Sequence, residues 1–248
     1  PMWRTLTHLD PKANRLFELV NDVRSLISGE VIKARHYDHS TGRFLPKESR
    51  KTKDIIVVEG LHTLYPKQLL EELDVKFFIS MHYSLRLFFR TKRDIEKRGY
   101  EVDKALKEIE IRKDDSEKYI QPQANRADVI FTLVPINQDL FDQEKVVDSN
   151  IKLRVSIQNG IYYQELVRVL VGVCGLQVNL DSVDERGEVI LEISGELAPE
   201  DVGLAINMLV PHIYELFDLN PKFSEGIFGI MQIVTAIEID EALKRRKI

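Results

Sequence analysis

Glu59 is the residue whose surroundings best suit it for chemistry. It follows four consecutive β-branched apolar residues, Ile55 to Val58, and precedes Gly60. The run reads as a strand buried on both faces of a parallel sheet, with an acid at its carboxyl end. That edge of an open α/β sheet is where ligands bind, and a carboxylate there can hold Mg2+ through water or receive a proton. Two other stretches carry comparable chemical content. Between Val31 and Phe44, Arg35, His36, Tyr37, His39, Thr41 and Arg43 crowd around Gly42, more hydrogen-bonding groups than a plain surface loop usually concentrates. Residues 84–98 read as a helix bearing Arg86, Arg90, Lys92, Arg93, Asp94, Lys97 and Arg98, with Arg90, Arg93, Lys97 and in part Arg86 near one face by i, i+3 and i+4 spacing. Such a cationic excess suits a lid that stabilises charge on a transferring phosphoryl group. It equally suits a solvated face with Asp94 and Glu96 as internal partners.

The elements that must position these residues follow from periodicity and punctuation. Asp10-Pro11 is a helix start, and Leu16, Leu19, Val20, Val23, Leu26 and Ile27 recur at helical spacing until Gly29, predicting one amphipathic helix. Pro46 to Lys53 reads as a basic, solvated linker into the strand at Ile55. Lys67–Leu73 reads as a short helix and Val75–Ser80 as a second strand, so the two strands form a right-handed βαβ unit with a parallel pair. Val102–Tyr119 is a polar helix and 128–134 a third buried strand. The acidic connector Asn137–Asn150 marks the expected domain boundary, between residues 1–136 and 151–248. Beyond it come a strand at Ile151–Gln158, a helix at Tyr162–Val173, a hairpin from Val178–Val183 and Glu188–Ser194, and helices at Pro199–Phe217 and Ile227–Arg246. This is a small α+β domain without a catalytic grouping, open between dimerisation, which would make a second copy of the chain its partner, and regulation. His212 reads as a core or interface histidine on an apolar helix, and Cys174 as packed interior.

Bulk properties narrow the partners. The 248 residues are 44% hydrophobic and 30% charged, as in an ordinary soluble globular protein. Residues 1–135 hold 25 Lys+Arg against 21 Asp+Glu, whereas residues 136–248 hold 10 against 19. The basic half is therefore the place for anionic small molecules, yet it is too weakly basic to indicate nucleic acid. The single cysteine permits no internal disulfide, no apolar run reaches transmembrane length, and no signal-peptide pattern opens the chain, so a cytoplasmic location without membrane contact is expected. The opening Pro1-Met2 is not a natural translated start and suggests further sequence upstream.

Five ordered motifs carry a resemblance. His8-Leu-Asp-Pro-Lys-Ala-Asn14, Tyr37-Asp-His-Ser-Thr-Gly42, Val57-Val-Glu-Gly-Leu-His-Thr-Leu-Tyr65, Lys92-Arg-Asp94 with Arg98-Gly99, and Tyr119-Ile-Gln-Pro-Gln123 followed by Ala127-Asp128-Val129 resemble the phosphoribulokinase/uridine kinase family in content and order. The resemblance implies a P-loop kinase-like α/β fold, a parallel sheet with flanking helices that is incomplete here. It also implies ATP-dependent phosphorylation, with Mg2+, of a hydroxyl on a small acceptor. It places Tyr37, His39, Arg43 and His62 among substrate-binding positions, Glu59 at the metal and catalytic position, and Arg93, Asp94 and Arg98 in the catalytic lid, with Arg90 and Arg93 toward ATP. The Tyr-Asp-His-x-Thr-Gly form is closer to the phosphoribulokinase branch, whose loop often reads Tyr-Asn-His, than to the uridine branch. The family's phosphate loop, G-x-x-x-x-G-K-[ST], does not occur in these 248 residues, nor does the segment carrying the family's catalytic aspartate. On their own these residues are expected to be inactive, either as part of a whole sugar-phosphate or nucleoside kinase or as a non-catalytic relative kept for binding or assembly.

Overall fold

The computed structural model describes residues 7–38, 41–96, 107, 109–137, 151–158, 160, 162–183, 187–216 and 221–246. The chain divides into two compact units: residues 1–74 with 110–126, and residues 75–109 with 127–248.

In the first unit the expected single helix is a 3-10 turn, Pro11–Ala13, followed by helix α1, Leu16–Ile27. Asp10 caps the turn by accepting from the Lys12 amide at 2.8 Å. The helix ends in a Schellman arrangement, with Gly29 N–H donating to Leu26 O and Glu30 N–H to Ser25 O. Two antiparallel pairs follow: strand β1, Ile32–Ala34, with β4, Glu48–Arg50, and strand β2, Tyr37–Asp38, with β3, Arg43–Phe44. The basic stretch expected to be a plain linker thus supplies a strand. Helix α2 is a single turn, Lys67–Leu70. The predicted strand at Ile55–Val58 belongs to no ladder among the described residues, and Ile55 lies in a bend. Its alternate residues have different fates. Val58 packs against the cluster of Val20, Val23 and Leu69, while Val57 is 83% exposed. One face is anchored to α1 and α2, and the backbone has no flanking strand within the unit to complete the two-sided burial inferred from composition.

The second unit is built on a five-stranded mixed sheet in the order β5-β6-β7-β9-β8. Its elements are β5, Phe77–Met81; α3, Tyr83–Glu96; β6, Val129–Pro135; β7, Ile151–Ile157; α4, Tyr163–Gly172; β8, Gln177–Val183; β9, Val189–Ser194; α5, Pro199–Leu209; and α6, Gly226–Arg246. The α/β class stands. The parallel pair, however, is β5 with β6, and every other pairing in this sheet is antiparallel. Asp128 fixes the start of that pair: its carboxylate accepts from the Lys76 amide at 2.7 Å and pairs with Lys76 Nζ at 3.1 Å. β6 and β7 then pair across seven residues, Val129↔Ile157 to Pro135↔Ile151. The stretch 137–150, expected to separate two domains, therefore connects neighbouring strands of one sheet.

One sheet face, including Phe131, Leu153, Val155, Leu191 and Ile193, is covered by α4, α5 and α6. The opposite face carries cross-strand polar pairs, Lys152 with Glu192 and Arg154 with Asp181. Cys174 is buried in the core, and burial raises its thiol pKa. His212 is not in the core: Pro211 starts a separate 3-10 turn, where the His212 side chain is 80% exposed beside Glu215. Among the described residues no helix is long and apolar enough to cross a membrane.

Two glycines of this unit predict substitutions of opposite sign. A Cβ on Gly229 would lie 2.4 Å from Ser224 O and 2.6 Å from a Val202 methyl, whereas one on Gly172 would meet nothing within 4 Å. Gly229→Ala is expected to destabilise by about 1–3 kcal/mol through overpacking, and Gly172→Ala to stabilise by roughly 0.4–1 kcal/mol. Urea denaturation of both variants checks the pair; equal shifts would contradict the packing described.

Candidate functional site

Of the residues expected on the acceptor side, Tyr37 and Arg43 sit on a two-residue ladder in the first unit. Tyr37 pairs with Phe44 and Asp38 with Arg43, and the Tyr37 and Phe44 rings meet edge to face at 5.2 Å. The turn is closed locally. Thr41 Oγ1 donates to Asp38 Oδ2 at 2.7 Å, and Gly42 N–H to Asp38 O at 2.8 Å. Gly42 has φ +67°, a left-handed conformation that a side chain would strain. The Tyr37 hydroxyl oxygen would lie 3.8 Å from a Cβ at Gly42, so the ring folds over the turn. Tyr37 and Arg43 are both exposed. His39 lies outside the described residues.

Glu59 is exposed at the end of the extended run, where Gly60 turns the chain with φ +152°. The next residues are held firmly. His62 is 4% exposed and meets Tyr65 edge to face at 5.9 Å, and Tyr65 meets Tyr119 at 6.3 Å. Neither His62 ring nitrogen hydrogen-bonds a described residue. Burial pushes its pKa below the ordinary value, outweighing the His8 backbone and the Asp10 charge, which act in the opposite direction.

Two residues that sequence reasoning left without a role anchor this segment. Gln123, 3% exposed, accepts from Leu64 N–H at 3.1 Å and donates from Nε2 to Leu61 O and Tyr119 O, both at 2.9 Å. Arg126 donates to Leu64 O at 2.9 Å and Tyr65 O at 2.7 Å. Both belong to a 3-10 turn, Gln121–Arg126, that follows a π turn at Ser116–Ile120. The signal was available: Gln123 closes one of the five motifs and lies in a segment with few other reasons to keep a glutamine.

The lid candidates belong to the second unit. Arg90 and Arg93 lie on α3, Arg90 partly buried and Arg93 exposed. Asp94 falls within the helix, and its side chain and all of Arg98 lie outside the described residues. Arg86 reaches over the Tyr83 ring at 5.8 Å and Lys92 over Phe88 at 5.9 Å, so part of the cationic load of this helix is used on its own aromatics.

In the first unit a cleft of about 520 Å3 runs between α1 and residues 65–68, lined by Leu16, Phe17, Val20, Arg24, Tyr65 and Lys67 among others. None of the site residues expected from sequence lines it. Among the described residues no group of three or more His, Cys, Asp or Glu gathers in a metal-binding cluster. A lone exposed carboxylate such as Glu59 fits Mg2+, which takes one or two carboxylates and fills its remaining positions with phosphate oxygens and water.

The model of the phosphoribulokinase/uridine kinase family matches residues 2–139, more than half of the chain, and the chain belongs to that family. The phosphoribulokinase of Synechocystis sp. is 32% identical over 130 residues, 52% of this chain and 39% of that protein. The chloroplastic phosphoribulokinase of Spinacia oleracea is 30% identical over 158 residues, 64% of this chain and 39% of that protein. A uridine kinase of Streptococcus gordonii is 28% identical over 114 residues, 45% of this chain and 54% of that protein. The chain spans about two fifths of the length of these phosphoribulokinases. In fold it is similar to the solved phosphoribulokinase from Rhodobacter spheroides, with a TM-score of 0.61 at 18% identity, over 86% of this chain and 76% of that one. That likeness reaches past residue 139, into the part for which sequence motifs offered no assignment.

The burial of His62 has a pH consequence. Its lowered pKa means that folding favours the neutral imidazole. The contribution is fully present above the ordinary value of 6.5 and is lost as pH falls through the lowered value. In urea titrations across that range the wild type is expected to lose stability relative to His62→Leu as the solution is acidified. Parallel profiles would show that the ring is protonated at no cost in the fold.

Proposed function

We propose that this protein acts as an ATP-dependent kinase that transfers the γ-phosphoryl group to a hydroxyl of a small sugar phosphate. The observation that carries the reading is the family match over residues 2–139, which spans the Tyr37 hairpin, the Glu59-Gly60 turn and the arginines of α3. The charge around the hairpin supports a phosphorylated acceptor over an uncharged nucleoside. Residues 31–53 hold seven Lys or Arg against Asp38 and Glu48, and an anion is favoured among them.

In this reading Tyr37, His39 and Arg43 hold the acceptor, with His62 supporting their side of the site. Glu59 would hold Mg2+, whose role when bound is to neutralise charge on the phosphate oxygens. Arg90 and Arg93 would place positive charge against the ATP phosphates. Arg93 and Arg98 would stabilise the charge that spreads over the transferred group's equatorial oxygens, with Asp94 part of the same catalytic lid motif. Residues 151–248, which extend the sheet from β6, are assigned to assembly or regulation rather than chemistry. The alternative is a non-catalytic member of the family that binds without turnover.

The test uses the protein as its natural gene encodes it, assayed for ATP-dependent phosphorylation of phosphoribulose and of uridine. Turnover of the sugar phosphate with little of uridine is the expected outcome; binding of either without turnover would favour the second reading. Glu59→Gln is expected to lower kcat by about 10²–10³-fold with the fold retained, and near-normal turnover would remove Glu59 from the site. Arg93→Ala is expected to lower kcat more than it raises KM for ATP. A change confined to KM would reduce Arg93 to a binding contact.

A further inference from the structure

We infer that Gln123 is a positioning residue for the Glu59 turn: its amide fixes the backbone on both sides of His62 and so sets where Glu59 presents its carboxylate. This inference rests on the proposed assignment of Glu59 to Mg2+ and deepens it.

The geometry is specific. A glutamine amide offers one strong acceptor and two N–H donors, and here each is used once toward backbone: Leu64 N–H to Oε1, and Nε2 to Leu61 O and Tyr119 O. Two of the three bonds land on Leu61 and Leu64, which bracket His62, and Leu61 is two residues from Glu59. The third ties the side chain to Tyr119, whose ring meets Tyr65. A clamp of this kind acts at the near side of the loop. Arg126 bonds only the far side, at Leu64 O and Tyr65 O. The intervening turn cannot take up slack by itself, because its own bonds are short-range: Thr63 Oγ1 to Gly60 O at 3.3 Å and Tyr65 N–H to His62 O at 3.1 Å. Glu59 is exposed and has little packing of its own, so its position is inherited from its neighbours: Val58, packed against Val20, Val23 and Leu69, on one side and residues 60–65 on the other. A displacement of about 1 Å at a catalytic group can cost ~10²-fold in rate, and Gln123 is a buried side chain that opposes it from the 60–65 side.

Loss of the clamp should therefore appear in turnover and in the Mg2+ requirement before it appears in substrate affinity. With the natural full-length protein, Gln123→Leu is expected to lower kcat by about 10–100-fold and to raise the Mg2+ concentration for half-maximal activity several-fold. KM for the acceptor should stay within about threefold. In a Glu59→Gln background the same substitution should cost less than about threefold, because residues acting as one unit are not additive. Should Gln123→Leu fail to fold, Gln123→Glu keeps an acceptor for Leu64 N–H while losing both donations, and its kinetics carry the same test. Equal losses from Gln123→Leu in both backgrounds, or an unchanged Mg2+ requirement, would make Gln123 a stabilising contact only and overturn the inference with the Glu59 reading intact. A Glu59→Gln variant that turns over normally would overturn both.

Discussion

In the turn from Leu61 to Tyr65, His62 and Leu64 are both buried, and the backbone groups buried with them must find partners. An unpaired buried N–H or C=O costs about 1–3 kcal/mol. Secondary structure cannot supply the partners, because the loop lies in neither helix nor sheet. The side chains of Gln123 and Arg126 supply them instead. This constraint reaches in both directions along the chain. A π turn and a 3-10 turn occupy 116–126, and the 3-10 turn sets Gln123 and Arg126, three residues apart, on one side, toward the loop. The constraint also explains how an exposed Glu59 can be a defined group, since the residues after it are pinned.

The second unit meets the same requirement through a sheet. Asp128, just ahead of β6, satisfies the Lys76 amide, and its own amide donates to Lys76 O. The parallel pair therefore begins in register before any side chain packs. From β6 onward the sheet turns antiparallel, and its two faces diverge. One is apolar under three helices, and the other bears ion pairs that are half exposed and worth little in stability. Those pairs do more for register, because a one-residue slip would set Lys152 and Arg154 against the core.

Much of this was legible in the sequence. The helices α1, α3, α4 and α6 and the strands β5 to β9 follow from periodicity; the hairpin around Gly42 does not, since polar crowding marks a loop without saying that its arms pair. Strand β4 was missed because Glu48, Ser49 and Arg50 have no apolar residue to bury; backbone pairing with β1 alone makes it a strand. Ile55–Val58 was over-read for the opposite reason. Four β-branched residues specify an extended backbone, but composition cannot say whether a ladder exists on either side. The unbroken sheet across β6 and β7 was hidden by the acidic connector, which has the composition of a linker whether it joins domains or adjacent strands. At the site, residues that touch ligands in the family were named from motifs. Gln123 and Arg126 were left without a role, because positioning is a property of hydrogen bonds across some 60 residues of chain, and spacing does not encode it.

Asp38 shows how far such reasoning goes at a single position. The related loop often carries asparagine there, and the aspartate leaves the sugar-phosphate assignment open on sequence alone. In the structure the side chain is used as an acceptor, taking the hydrogen bond of the Thr41 hydroxyl on Oδ2, and an asparagine Oδ1 could do the same. That hydrogen bond would survive the exchange. What changes is charge: a carboxylate stands where an amide would, directly across the ladder from Arg43. Under the proposed function, an acceptor bearing phosphate would compete with Asp38 for that guanidinium, or use the other cations of residues 31–53, so the exchange would bear on which anion the hairpin takes.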